Sequence, residues 1–443
     1  MAYFDPNFHS LEEYIVPSPP TVSVDNDTYQ DHTVVKVDGP NRHGILVDVL
    51  EALADLDLII SKSNISADGE WIMHAFHVTD ELGNKMTDPA HIRYIKQSLM
   101  FAESRRGGGG ESSRRPPDEV RTCLNKLLGA GHHHHLSSEH TVVEMTVADH
   151  PGLLSEVLAT LLDFSFHINS AVAWAHNGRA AFIFYGPMSL PPTGLTELKE
   201  QLTRVVEAHC IEKWQLGISG PLPADRAHTS VCAERRLHQI MQEDNDWEGM
   251  ASRTDHDPPL SSEAVVTAVE MELSEKHHNY MVEVIVRSRD RPKLVFDVVC
   301  TLADLNYDVV HASVSMEESI AVQEYYIKKI RNGNWSRVTE MEKEKLVECL
   351  MAAIERRPGP WWMRVEVRVL EYRDSLLWEI TRVLRENGML VVGAKWDNMG
   401  ELAAGVFYVK GGSSRGNVAR SLIHSLRNEI GGCCDFEIKE SNN

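Results

Sequence analysis

The chain has 443 residues, room for roughly three or four domains of common size, and 42% of them are apolar, enough for packed cores. Its 44 Lys and Arg against 65 Asp and Glu leave a formal charge of −21, which repels phosphate backbones and anionic headgroups and argues against nucleic acid or membrane as partner. Seven cysteines without a CxxC pair fit free thiols in a reducing compartment, and neither an apolar run near about 18 residues nor a secretory N-terminus is visible.

In chain order, the alternation at 33–38 predicts a strand, and Ile45, Leu46, Val49, Leu50 and Leu53 form the apolar stripe of a helix over 42–56. Strands follow at 56–65 and 70–79 across the hairpin signal Asp68-Gly69, then a helix at 88–102. A second unit repeats this order with strand 141–148, helix 152–163, strands 166–174 and 179–185 across Asn177-Gly178, helix 194–208 and a closing strand 211–218. A third has strand 281–287, helix 293–305, strands 308–315 and 320–330 and a helix at 337–356. A fourth has strand 363–370, helix 374–387, strands 389–396 and 401–409, helix 415–429 and strand 434–439.

The repetition extends to register. TVVKVDGPNRHGILVDVL (33–50), TVVEMTVADHPGLLSEVL (141–158), VEVIVRSRDRPKLVFDVV (282–299) and RVEVRVLEYRDSLLWEIT (364–381) share one pattern, with Gly44, Gly152, Lys293 and Ser375 at the same place. One supersecondary unit occurs four times, and an internal repeat outranks any single motif. The expected fold class is α+β: four ferredoxin-like βαββαβ sandwiches in tandem, antiparallel sheets with helices on one face. Domains are expected at 20–103, 139–218, 264–360 and 361–440, with a flexible linker at 104–138 and a linker carrying one short helix at 219–263. Units one and three lack a closing strand; TVSVD (21–25) and AVVTAVEM (264–271) are expected to fill that edge from the preceding chain.

The polar turn before each first helix is the candidate chemical site. In Asp149-His150-Pro151-Gly152, Asp149 is expected to cap the helix, and the glycine bares first-turn amides that can hold a carboxylate. The plainer alternative is a cap and a tight turn only.

The four units resemble ACT domains, of which the D-x-P-G-L-L turn at 149–154 is the most recognisable local feature. Segments 24–62, 68–85, 234–241 (ERRLHQIM) and 289–312 make the whole chain similar to the plant ACT domain repeat (ACR) family, which resembles the ACT tail of the bacterial uridylyltransferase/uridylyl-removing enzyme without its catalytic parts. The resemblance implies a regulatory protein that binds a free amino acid between the β1–α1 turn of one unit and the second strand of its partner. The positions it implies are Asp149, His150, Gly152 and Leu153 with Asn169 and Ser170, and Asn41, His43, Gly44 and Ile45 with Ser61 and Lys62. Amides near Gly152 or Gly44 would hold the α-carboxylate, and Asp149 or Asn169 the α-ammonium. Lys293 is expected to fill its own site, and Ser375 leaves the fourth turn with neither proline nor glycine. Pairing of unit one with two and of three with four is expected, and a homodimer through ACT pairing is a further option.

No metal or cofactor is expected: His132–His135 lack a cysteine or carboxylate framework, Gly107–Gly110 form no phosphate loop, and Trp361-Trp362 is expected to pack under the third unit's helices. No hydrolase or transferase signature appears, so the chain is expected to be non-catalytic. A sensor signalling to an unidentified regulated protein is the leading expectation, and a ligand-independent protein–protein adaptor the alternative. The expected location is cytoplasmic, with the nucleus as an option through Arg105-Arg106 and Arg114-Arg115.

Overall fold

The computed structural model describes residues 21–42, 44–80, 83–104, 139–187, 191–209, 214–223, 230–250, 268–273, 281–317, 319–358, 362–398, 402–411, 415–431 and 434–439. The sequence expectations for His43, for the linker between 105 and 138, for the arginine pairs and for His132–His135 lie outside them.

The first unit runs β1 (Thr21–Asp25), β2 (Thr33–Pro40), α1 (Ile45–Asp55), β3 (Ile59–Asp68), β4 (Trp71–Thr79) and α2 (Pro89–Ser104). The second runs β5 (Glu139–Ala148), α3 (Leu153–Asp163), β6 (Ser170–His176), β7 (Arg179–Pro187), α4 (Pro192–Glu207) and β8 (Gln215–Pro223), followed by a connecting helix α5 (Ser230–Glu243). The third runs β9 (Ala268–Leu273), β10 (Met281–Arg289), α6 (Leu294–Asp304), β11 (Tyr307–Glu317), β12 (Ile320–Arg331), β13 (Asn334–Ser336) and α7 (Glu340–Arg356). The fourth runs β14 (Met363–Val369), α8 (Leu376–Glu386), β15 (Leu390–Asn398), β16 (Ala403–Lys410), α9 (Arg415–Ile430) and β17 (Cys434–Lys439).

Local chemistry accounts for these elements. In β4, Ile72, Phe76 and Val78 are buried on the core side while Trp71 and Met73 face out, the period-two pattern of a half-buried strand. Asn177 (φ 47°) and Gly178 (φ 72°) both adopt the left-handed backbone that closes the β6–β7 hairpin as the Asn-Gly pair predicts. The edge position is filled as the sequence reading has it: β1 pairs antiparallel with β2 and β9 with β10, where β8 lies beside β5 and β17 beside β14.

The pairing of units differs from expectation. Strand order is β1-β2-β4-β3-β11-β12-β10-β9 in one sheet and β17-β14-β16-β15-β6-β7-β5-β8 in the other. Unit one therefore joins unit three through β3–β11, and unit two joins unit four through β15–β6, rather than one with two and three with four. The contacts that join the partners are main-chain bonds between second strands, which hydrophobic patterning does not encode. Of the Trp361-Trp362 pair, Trp361 lies outside the described residues, and the Trp362 ring lies 5.9 Å from Lys410 Nζ of β16 in the fourth unit.

Each slab, nine strands in the first with β13 beside β12 and eight in the second, carries its helices on one face, where α1 meets α6 and α3 meets α8 across the middle. The other face of the second slab is covered by α5, whose Ala233, Leu237, Ile240 and Met241 pack on Val142, Val172, Trp174, Ala181, Ile183 and Tyr185. The opposite side of α5 meets α1, α6 and α7, so this helix is the layer between the two slabs. Among the described residues no helix is long and apolar enough to cross a membrane.

Candidate functional site

Three of the four turns share one backbone geometry. Gly44 (φ 81°), Gly152 (φ 90°) and Lys293 (φ 63°) are each the left-handed N-cap of the first helix of their unit, and Ser375 alone is right-handed (φ −74°). Glycine has no side chain and lysine no acceptor, so none of these three caps supplies a side-chain bond to the helix start. Asp149 therefore does not cap α3. It sits back at the end of β5, exposed, with its amide donating to Gly178 O (2.8 Å). The amide of Leu153 is occupied by His150 O (3.2 Å), and that of Ile45 by Arg42 O (3.2 Å). Their side chains are core, at 1% and 3% exposure. What remains bare at each helix opening lies one residue further on, a region of positive potential.

At the second unit this opening faces the fourth. A cavity of about 30 Å³ is lined by Asp149, His150, Gly152, Leu153 and Ser155 on one side and by Thr381, Arg385, Met389 and Val391 on the other. The Arg385 side chain lies directly over Gly152: a Cβ there would come within 2.6 Å of Arg385 Cδ. Its Nη1 is 4.0 Å from Glu156 Oε1, and the side chain remains 41% exposed. A space of this size admits roughly one or two waters, so a larger guest requires Arg385 to swing outward.

Asn169 and Ser170 are not among the residues lining this cavity. They belong to the opposite end of the same interface. Asn169 O accepts from Asn398 N (2.7 Å), Ser170 pairs with Asp397, and nearby His167 binds Asp374 (2.8 Å) in the fourth unit's own turn. The unit pair is related by an approximate twofold, so each turn faces the other unit's second strand and residues of one unit split between two places. In that fourth turn Ser375 Oγ donates to Glu379 Oε1 (2.6 Å), with Arg373 paired to the same carboxylate.

In the first unit Asn41 is exposed and fixed by Glu70 O (2.6 Å) and Gly69 O (2.9 Å), and Arg42 binds Asp48 (2.7 Å) beside Gly44. Ser61 stands at a β-bulge, donating to His77 O (3.3 Å), and Lys62 is exposed. Bulges recur at the matching place in β11 and β15, and Asn169 holds that place in the second unit. The third turn is closed by its own chain. The Lys293 side chain is buried, with Nζ 3.1 Å from Glu234 and 3.4 Å from Asp57.

Lys293 opens onto a buried ionic cluster that no motif announced. Arg357 binds Asp297 through two nitrogens (2.7 Å each) and Glu234 (2.8 Å), and its guanidinium lies 5.1 Å from the Trp174 ring of the second slab. Arg291 and His238 complete the shell of Asp297 at 2.7 and 3.0 Å. Arg356 and His176 do the same for Asp246. Though burial disfavours the charge, the Arg357 and Arg291 guanidiniums hold the Asp297 carboxyl well below its usual range. Burial lowers His238, which keeps its imidazole neutral. Every member has a structural partner, so this is a fastening. Sequence reasoning also missed Arg385 and His209, which reach the second turn from other elements.

The comparisons with known proteins agree with this architecture. Residues 28–106 match the model of the ACR family N-terminal ACT domain. The chain is 38% identical to ACT domain-containing protein ACR1 of Arabidopsis thaliana, across 98% of this chain and 89% of that one. It is 39% identical to ACT domain-containing protein ACR3 of the same plant, across 97% and 89%. A shorter stretch, 18% of this chain, is 39% identical to 9% of the bifunctional uridylyltransferase/uridylyl-removing enzyme of Gluconobacter oxydans (strain 621H). With an ACR family model matched at its first unit and full-length relatives above 30% identity, the chain belongs to the ACR family of ACT domain proteins.

Proposed function

We propose that the chain is a non-catalytic regulator that takes up a free amino acid at the second turn, between units two and four, and signals to a partner protein. The observation that carries this reading is the uncapped start of α3, opened by left-handed Gly152 and bridged from the other unit by a half-exposed arginine. Two opposite charges meet there. The amides of Leu154 and Ser155 and the Arg385 guanidinium suit an α-carboxylate, and the exposed Asp149 carboxylate suits an α-ammonium. Uptake moves Arg385 off Gly152. Because Arg385 rides on α8, the ligand biases the seating of unit four on unit two by no more than its difference in affinity for the two arrangements.

Titration calorimetry of the full chain against the twenty amino acids tests this. Heat with at least one, abolished in Gly152→Asp because the new Cβ falls on Arg385 in a strained backbone and the added carboxylate repels the ligand's own, is expected. Silence with all twenty overturns the reading. The adaptor reading has its own observation in favour: the third turn is filled by Lys293 and the fourth is a closed Arg373–Ser375–Glu379 knot. It predicts partner capture indifferent to amino acids and to Gly152→Asp.

A further inference from the structure

Three side chains from separate segments converge beside the same helix start. His150 lies in the β5–α3 turn, Glu156 in the first turn of α3, and His209 just past the end of α4. Their ligating atoms all lie within 4.8 Å of one another. His209 Nε2 is 2.9 Å from Glu156 Oε2, and the two imidazole centroids are 4.4 Å apart. A histidine–glutamate pair accounts for two of these groups but leaves the third unexplained.

The third is informative. His150 Nδ1 lies 3.3 Å from Pro151 O, which can only accept, so in the neutral ring Nδ1 carries the proton and Nε2 keeps its lone pair. That Nε2 is buried and has no hydrogen-bond partner. A buried acceptor left bare is costly, and a backbone carbonyl orienting the far nitrogen is the outer-shell arrangement of a metal-bound histidine.

We propose that His150 Nε2, the Glu156 carboxylate and His209 bind one divalent transition-metal ion of the zinc type, with a fourth position open to water. Two imidazoles and one carboxylate make a borderline donor set suited to zinc and its neighbours and poor for calcium or magnesium, which take all-oxygen shells. Bonds of about 2.0–2.1 Å in a tetrahedron set ligand atoms roughly 3.3 Å apart, so the cluster needs shifts of about an ångström or more. Glu156 and His209 are exposed enough to make them, at 32% and 43%. Taking up Glu156 also removes the acid nearest Arg385, the residue lying over Gly152. The ion does not require amino-acid uptake, and its test does not read it.

Full-length protein is titrated with Co²⁺, read by its visible ligand-field absorption, and then with Zn²⁺ in competition. One equivalent of a low-symmetry cobalt site displaced by zinc but not by excess Ca²⁺ is expected, with affinity falling more than about tenfold in His209→Ala and in Glu156→Gln. Replacement of His132–His135 by serine should leave it intact. Melting of the metal-free variants at the wild-type temperature verifies that they fold; His209 is exposed enough for this to hold. No cobalt site in the wild type, a site that survives both substitutions, or one lost only with His132–His135 overturns the proposal.

Discussion

At position 293 a lysine adopts the left-handed cap that glycine takes at 44 and 152, and its burial shows what the extra side chain does there. Its φ of 63° lies within the small region open to ordinary residues, whereas 90° at Gly152 does not. The lysine spends the space of its turn on Glu234 and Asp57, which makes the third turn a joint between unit three, α5 and unit one. Close by, Asp55 is 8% exposed and accepts from Tyr94 Oη (2.8 Å). Burial pushes its carboxyl up to about 7 despite that bond. A carboxyl raised by folding contributes stability fully below its unfolded value, near 3.8, and loses it as pH rises through about 7. Glu234 and Asp297 are depressed and act oppositely, failing only as pH falls below the ordinary carboxylate range. Denaturant titrations should therefore find a decline from about pH 4 to about 7 that flattens in Asp55→Asn, with a gain of about 2–4 kcal/mol at pH 8. An unchanged pH profile in that variant would remove the assignment. Of the candidate site residues, those in one turn were legible because a helix start is a local event. Arg385 and His209 were not, because they arrive from α8 and the end of α4 through tertiary packing alone.

The connecting helix shows where sequence pattern misleads about environment. Leu237, Ile240 and Met241 mark one apolar side of α5, and that side does pack, on the second slab. The other side, Glu234, Arg235 and His238, reads as a solvated face. Instead Arg235 reaches Glu51 (3.1 Å) and Asp304 (2.9 Å), while Glu234 and His238 are buried in the ionic cluster. Charged letters at helical spacing carry no mark of whether water or an opposite charge will meet them. Replacing Leu237, fully buried between the slabs, with alanine should cost about 2–5 kcal/mol. Because α5 is the layer joining the slabs, Leu237→Ala should also split one denaturation transition into two when followed by tryptophan fluorescence and by circular dichroism. Coincident transitions would mean that the slabs are fastened elsewhere.

At the scale of the whole molecule, the repeat and its βαββαβ order were legible because strand alternation and helical stripes are short-range signals copied four times. The partnership of one with three and two with four was not. β3, β6, β11 and β15 meet through backbone bonds such as Ser66 opposite His311 and Trp174 opposite Gly393, and any second strand could offer the same atoms to any other. α5 lies between the results of that pairing, on the bare face of one slab and against the helices of the other at once. The polypeptide is consequently laced like a shoe, crossing from slab to slab at every unit. Severed within 251–267, it would yield two pieces that each own half of both slabs. They should travel together through a sizing column and part only in denaturant, and separately expressed halves should restore one another on mixing.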